Sequence, residues 1–296
     1  MLPLVNDILK RMKAGFVTLF GRSNVGKSTL LNSLVGTKLA ITSPKPQTTR
    51  HQIQGVVHDK RGQIVFVDTP GIFTTSKSNL AKYLNKAAAN ALNGVDVILH
   101  VVDPTRAIGP EDKKIMSIIE NTKLKKILVI NKIDLIDRPH LASFRALAED
   151  YDAVVELSAQ SGQHTGTLIN EILDLLPDGQ KMYEDGQITN LDNDFWFAEL
   201  IREKLFLRLR EEVPYSITVK IDEITPREDK TLYIAARIIT NADRYKSMII
   251  GLGGRGIREI GQSSRKELEA VTQTKVYLDL KVVVDEHWTE EFKHGK

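Results

Sequence analysis

The sequence predicts an α/β protein in two parts, a doubly wound, mainly parallel sheet followed by a smaller α+β domain. Two observations predict it. From residue 15 to about 175, short apolar runs alternate with amphipathic stretches, the pattern of strands joined by crossover helices. Beyond residue 194 the order changes to a helix, two strand-like runs, two helices parted by glycines, and a last strand. Residues 177–194, from Pro177-Asp-Gly179 to Leu191-Asp-Asn-Asp194, are polar and turn-rich, and the boundary is placed there. The expected division is an extension over 1–14, a first domain over 15–176, a linker over 177–194, a second domain over 195–285 and a polar tail over 286–296.

In the first domain, strands are expected near 15–21, 53–58, 63–68, 95–102, 126–131 and 153–157, and helices near 27–35, 78–93, 111–121, 139–149 and 164–175. Asp59-Lys-Arg-Gly62 is a polar hairpin turn, so one strand pair should be antiparallel. Segment 36–52 carries threonine and proline with no clean period and reads as a mobile loop suited to sensing a phosphate. In the second domain, Phe195, Leu200, Ile201, Leu205 and Leu209 recur at helical steps over Phe195–Arg210, with Asp194 as the expected N-cap. Trp196-Phe197 is expected to be core. Strands follow at Tyr215–Ile224 and Leu232–Ile239. Next come a helix breaking at Gly251-Leu-Gly-Gly254, a second helix to about Val271, and a strand Lys275–Val284 alternating Val276, Leu278 and Leu280.

Composition sets limits. The chain has 296 residues, 42% hydrophobic and 27% charged, ordinary values for a chain that buries a core. No apolar run approaches the ~20 residues that span a bilayer. There is no cysteine, which excludes disulfides and thiolate chemistry and fits a reducing compartment. Met1–Lys10 lacks the charged start and small-residue cleavage site of a signal peptide. It reads as a short amphipathic helix or a processed organellar start. The seven histidines show no ligand spacing.

The chemistry begins after the apolar run Phe16-Val-Thr-Leu-Phe20. Gly21, Arg22, Ser23, Asn24, Val25, Gly26, Lys27 and Ser28 fit G-x-x-x-x-G-K-[ST] and open a helix at Thr29. Glycines let main-chain N–H groups curl around an anion and pass it to a helix N-terminus. Lys27 is placed to reach β- and γ-phosphates, and the Ser28 hydroxyl to hold Mg²⁺. Asp68, Thr69, Pro70 and Gly71 follow a second buried run. Asp68 can orient a water on Mg²⁺, and the Gly71 N–H can meet a γ-phosphate. Asn131, Lys132 and Asp134 follow a third run, where a carboxylate accepts from two adjacent donors that guanine offers and adenine does not. Ser158 and Ala159, after a fourth, can add a main-chain N–H to the guanine carbonyl. Four such segments, each at the C-terminal end of an expected strand, lie where open α/β sheets bind ligands. GTP hydrolysis is the expected activity.

On these motifs, residues 15–175 resemble a translation-factor-type GTPase domain, in the branch that includes Era-type GTPases and the tRNA-modifying GTPase TrmE. Pro46-Gln-Thr-Thr-Arg50 points to the Era type. The resemblance implies that Thr48 or Thr49, with Thr49 favoured, binds Mg²⁺ when GTP is bound. Ile72 stands where Ras-like enzymes carry the glutamine that orients the attacking water, so hydrolysis needs another means of placing it. Asn24 matches the position that can coordinate K⁺ in the family, or else it stabilises the loop; the expectation is a slow GTPase stimulated by K⁺.

Helix, G-x-x-G turn, helix is the centre of the KH RNA-binding module. Ile250, Gly251, Leu252, Gly253, Gly254, Arg255, Arg258, Arg265 and Lys266 are its candidate RNA-binding residues. Ile249, Ile250, Ile257 and Ile260 are candidate walls for unstacked bases. A P-loop GTPase domain followed by one KH module is the arrangement of Era-type GTPases. Leu252 and Gly253 depart from it, since a lysine is usual in that turn, and Gly256 stands where a charge is common. Residues 181–296 carry 19 basic and 21 acidic side chains, but 242–281 carry eight and five, so the positive charge is local.

The resemblance implies Mg²⁺, GTP and GDP, the 3′ end of small-subunit ribosomal RNA and the 30S-type subunit as ligands and partners. It further implies a monomer in bacterial cytoplasm, with peripheral inner-membrane association or an organelle matrix as alternatives. Two other readings stay open: a GTP-binding assembly scaffold with little turnover, and a GTPase of tRNA modification. The latter is disfavoured by the absence of cysteine and of a folate-type domain before residue 15.

Overall fold

The computed structural model describes residues 12–43, 45, 48, 53–68, 92–211 and 213–288. They fall into two units. Among the described residues the first comprises 12–40, 53–68 and 92–190; the second comprises 41–43, 45, 48 and 191–288.

The first unit is an α/β sheet. Its strands are β1 Met12–Phe20, β2 Ile53–Asp59, β3 Gly62–Asp68, β4 Val97–Val102, β5 Lys125–Ile130, β6 Ala153–Glu156 and the short β7 Asp178–Gly179. The order is β2-β3-β1-β4-β5-β6, with β7 added to β1. β3 and β4 are buried at every position, as befits parallel strands covered on both faces. β2 runs antiparallel to β3 from Ile53↔Asp68 to Asp59↔Gly62, the pair expected from the polar turn. The other main pairings are parallel, so β1, β3, β5 and β6 end at one edge. The helices are α1 Lys27–Val35, α2 Pro110–Glu120, α3 Leu141–Arg145 and α4 Thr165–Leu175.

Two expectations for this unit change. The helix expected over 139–149 is α3 plus a separate 3₁₀ turn, Ala148–Asp150. Leu141, Phe144 and Leu147, three apart, pack in one cluster, and that spacing suits the tighter winding. The stretch expected as a linker is bound for most of its length. Met12↔Gly179 and Lys13↔Asp178 pair, Gln63 Nε2 donates to Tyr183 O at 2.9 Å, and Thr189 Oγ1 donates to Gln54 O at 2.7 Å. Of the helix expected over 78–93, residues 78–91 lie outside the described residues, as do Met1–Lys10.

The second unit holds α5 Asn193–Arg208, β8 Ile217–Pro226, β9 Leu232–Thr240, α6 Asp243–Ile250, α7 Arg255–Thr272 and β10 Val276–Val284. The sheet order is β10-β9-β8, with β9 parallel to β10 and antiparallel to β8. Phe197, Leu200, Ile201 and Leu205 of α5 share one core with Ile234 and Ile238 of β9 and with Ile249, Ile260 and Leu268. Trp196 packs against it, as expected. The N-cap of α5 is Asp192, not Asp194: its carboxylate accepts from Phe195 N–H at 2.7 Å. Asp194 sits inside the first turn, where an acid meets the positive end of the helix dipole.

The other face of α5 is charged yet buried. Arg202 Nε donates to Glu199 Oε1 at 2.7 Å, and Arg202 Nη2 donates to Thr48 O at 2.5 Å. Glu203 Oε1 accepts from Thr42 N at 2.8 Å. Residues 41–43, 45 and 48 thus belong with this unit, although they were expected in the first. The polar tail also changes: Trp288 is only 2% exposed, so the described start of that segment is anchored.

Candidate nucleotide site and nucleic-acid groove

The loop Gly21–Gly26 joins β1 to α1 at the sheet edge where Asp68, Asn131 and Ser158 also emerge. Gly26 has φ of 101°, and a Cβ there would lie 2.3 Å from Asn131 Nδ2, so backbone and neighbour both require glycine. Lys27 is buried, with Nζ donating to Gly21 O and Arg22 O at 2.9 Å each. Burial pushes its ammonium down to about 8, against the opposing pull of Asp68 and Glu111. Ser28 Oγ donates to Asp68 Oδ2 at 2.8 Å. A hydroxyl and a carboxylate side by side are the hard oxygen donors Mg²⁺ takes, and two protein ligands leave room for phosphate oxygens and water. Asp68 is fully buried.

Asn131 does more than line a base pocket. Its Nδ2 donates to Val25 O at 2.8 Å, and its Oδ1 accepts from Lys132 N at 2.7 Å and Ala159 N at 2.9 Å. One side chain therefore joins the phosphate loop to both loops expected to read the base. Ser158 N donates to Gln163 O at 3.1 Å, so the N–H groups of Ser158 and Ala159 are both engaged within the protein. Asp134 is exposed and has no hydrogen bond or ion pair among the described residues, as a carboxylate that reads a ligand requires. Lys132 Nζ donates to Asp103 Oδ2 at 2.6 Å and to Asn24 O at 3.3 Å. Burial alone raises the Asp103 carboxyl, but Lys132 and Thr105 outweigh it and hold it below its usual range.

Arg22 faces elsewhere. Its Nη1 donates to Asp112 Oδ2 at 2.9 Å and to Ala107 O at 3.2 Å, and the Asp112 carboxylate also accepts Gly109 N–H at 2.8 Å. The side chain locks the start of α2, leaving only the Arg22 main chain to the loop. Asn24 has φ of 65°, and its Oδ1 accepts from Ser23 Oγ at 3.3 Å. Thr48, in the second unit, donates its hydroxyl to Lys45 O at 2.7 Å. Thr49, Thr69, Pro70, Gly71 and Ile72 lie outside the described residues.

The second unit carries a cavity of about 560 Å³ between α7 and the edge strand β10. Gly254, Ile257, Arg258, Gly261, Gln262 and Arg265 line one wall at the three- and four-residue steps of a single helix face, and Val276–Leu280 line the other. Of the expected RNA-binding residues, Gly254, Arg258 and Arg265 border it; Ile250, Leu252, Arg255 and Lys266 do not. Leu252 is 92% exposed at the turn. Ile249 and Ile260, expected as groove walls, are fully buried in the core. On α7 the buried face is Gly256, Ile260, Ser264 and Leu268, spaced by four. A Cβ on Gly256 would lie 2.4 Å from Ile249 O, so the crossing of α6 and α7 accounts for the missing charge there. The contribution of β10 was missed in the sequence, where its only signal was strand alternation next to an exposed tyrosine.

Residues 16–132 match the family described as a 50S ribosome-binding GTPase, and residues 212–289 match the KH domain family. Among curated proteins, GTPase Era of Halothermothrix orenii is 42% identical over 94% of this chain and 95% of its own length. GTPase Era of Clostridioides difficile is 42% identical over 93% and 94%. Among solved structures, Era in complex with MgGDPNP and nucleotides 1506–1542 of 16S ribosomal RNA superposes with a TM-score of 0.88 at 38% identity, covering 95% of this chain and 97% of that one. A variant of Aquifex aeolicus Era bound to GDP and aluminium fluoride gives 0.88 at 39% identity, with the same coverage.

Proposed function

The chain belongs to the GTPase Era family and is a GTPase, and from that premise we propose that it couples GTP hydrolysis to gripping the 3′ end of small-subunit ribosomal RNA during maturation of that subunit. The observation that carries the nucleotide half is Asn131, which binds the phosphate loop and the base-reading loops into one site. Main-chain N–H groups of Gly21–Gly26 take the triphosphate, and Lys27 sets its charge beside the β/γ bridge. Ser28 and Asp68 hold Mg²⁺, which when bound neutralises charge on the β- and γ-oxygens. Thr49 completes that set in the GTP state, and Gly71 meets the γ-phosphate. Asp134 selects guanine by accepting from its two adjacent donors. With isoleucine at position 72, the attacking water is placed by a group other than a glutamine, which makes unassisted turnover slow. Asn24 supplies a carboxamide oxygen to K⁺ near the transferring phosphate; equal turnover in Na⁺ and K⁺ buffers removes that role.

The RNA half rests on the cavity between α7 and β10, with Arg258 and Arg265 on its rim. A related Era holds 16S ribosomal RNA, which supports the same ligand here. We place the protein in bacterial cytoplasm, as its relatives are bacterial, and expect a monomer with at most peripheral membrane association. Among the described residues no helix is long and apolar enough to cross a membrane. The test is Asp134→Asn: preference should move from guanine to xanthine nucleotides, with RNA binding unchanged. Retained GTP preference overturns the base-reading role. Crosslinking of ribosomal RNA to Gly251–Arg258 in cells tests the other half, and absence of small-subunit RNA among the products overturns it.

A further inference from the structure

We propose that Arg227, Tyr233 and Tyr277, on the outer face of the second unit's sheet, form a stacking platform for an unpaired base of the RNA strand after it leaves the groove. The proposal rests on the RNA reading of the groove. Tyr233 on β9 and Tyr277 on β10 are register partners in the parallel pair. Their neighbours Ile234 and Val276 are buried in the core, so period-two alternation sends both rings to the opposite face. The ring centroids lie 5.9 Å apart with planes 23° from parallel, and the Arg227 guanidinium sits 4.7 Å from each.

A cross-strand aromatic pair stabilises a sheet by itself. Three observations point beyond that. Tyr277 is 54% exposed, a large aromatic surface left to water. Arg227 is exposed and forms no ion pair among the described residues, whereas Arg237 and Lys281 on the same face pair with Asp222 and Asp279. Tyr277 also lines the groove, because β10 is the sheet's edge strand. A strand rounding that edge passes from Arg258 and Arg265 to the tyrosines along one continuous surface. Glu228 and Asp229 share the turn with Arg227, and Asp229 Oδ1 accepts Thr231 N–H at 2.9 Å. Those acids disfavour phosphate capture and leave stacking on a ring or guanidinium plane as the attraction, which any base can supply.

The experiment titrates the full chain with two fluorescent RNAs from the small-subunit 3′ end. One is about five nucleotides, enough for the groove, and one about ten, reaching past it. Arg227→Ala, a change outside the groove lining that meets it only at the Tyr277 ring, should weaken the longer RNA about tenfold and leave the shorter within twofold. A 4-thiouridine near the outer end should crosslink to Tyr233 or Tyr277. Equal effects of Arg227→Ala on both lengths, no effect on either, or crosslinks elsewhere overturn the platform. Arg258→Ala should weaken both RNAs. If it weakens neither, or the wild type binds neither, the groove reading fails and the platform with it.

Discussion

Gly256→Ala should destabilise the second unit by about 2 kcal/mol, and the structure supplies the reason. The new Cβ would meet Ile249 O at 2.4 Å and Ile250 O at 2.9 Å, both inside the 3.0 Å that real Cβ atoms keep. Both oxygens are backbone, so relief requires α6 and α7 to part by about half an ångström or more, with repacking around Ile249 and Ile260. Overpacking of this kind costs roughly 1–3 kcal/mol, and the helix-propensity gain of alanine, at most about 1 kcal/mol, offsets part of it. Gly261→Ala is the matched control on the same helix. Its Cβ would lie 3.7 Å from Leu280 Cδ1, an ordinary contact, and it should stabilise by about 0.5–1 kcal/mol. Both tryptophans, Trp196 and Trp288, lie in the second unit, so their fluorescence follows its unfolding without the first. With a urea slope of about 1–3 kcal/mol/M, Gly256→Ala should lower the midpoint by about 1 M, and Gly261→Ala should raise it by a few tenths. Gly256→Ala as stable as the wild type would falsify the close-crossing account, as would equal losses in both variants.

Two further outcomes follow from the sites. Burial lowers the free protein's Lys27 ammonium to about 8, and a bound phosphate raises it again. Above that pH binding must take up a proton, so GDP affinity should fall as pH rises through about 8, approaching tenfold per unit, and stay flat below it. Lys27→Met should bind more weakly and lose the slope; a flat wild-type profile across pH 7–9 rejects the lowered value. Leu252→Lys restores a cation at a 92% exposed tip, and should steepen the dependence of log affinity for single-stranded RNA on log salt by about 0.7. An unchanged slope places that turn away from the RNA backbone.

Much of the first unit was legible because its central strands are buried on both faces and write themselves as apolar runs, as at Ile64–Val67 and Ile127–Ile130. Motif order at their ends then located the nucleotide site. What escaped depends on partners distant in sequence. Two-residue β7 has no period to read, yet it pairs with the start of β1, where β4 has not yet joined. The buried charges of α5 escaped because their main-chain partners, Thr48 for Arg202 and Thr42 for Glu203, lie more than 150 residues earlier. Ile249 and Ile260 were misplaced because apolar residues flank both sides of the glycine turn, and only the helix crossing decides which side faces the core. Arg22 was read with its loop, but its guanidinium is held by Asp112, ninety residues on.

The Asn131 clasp has a consequence for altering this enzyme's choice of nucleotide. One amide serves both ends of the pocket, so any change there loosens purine and pyrophosphate recognition at once and confuses selectivity with affinity. Asp134, untied to its surroundings, is the place where the preferred letter of the alphabet can be rewritten while the hold on the tail is left intact.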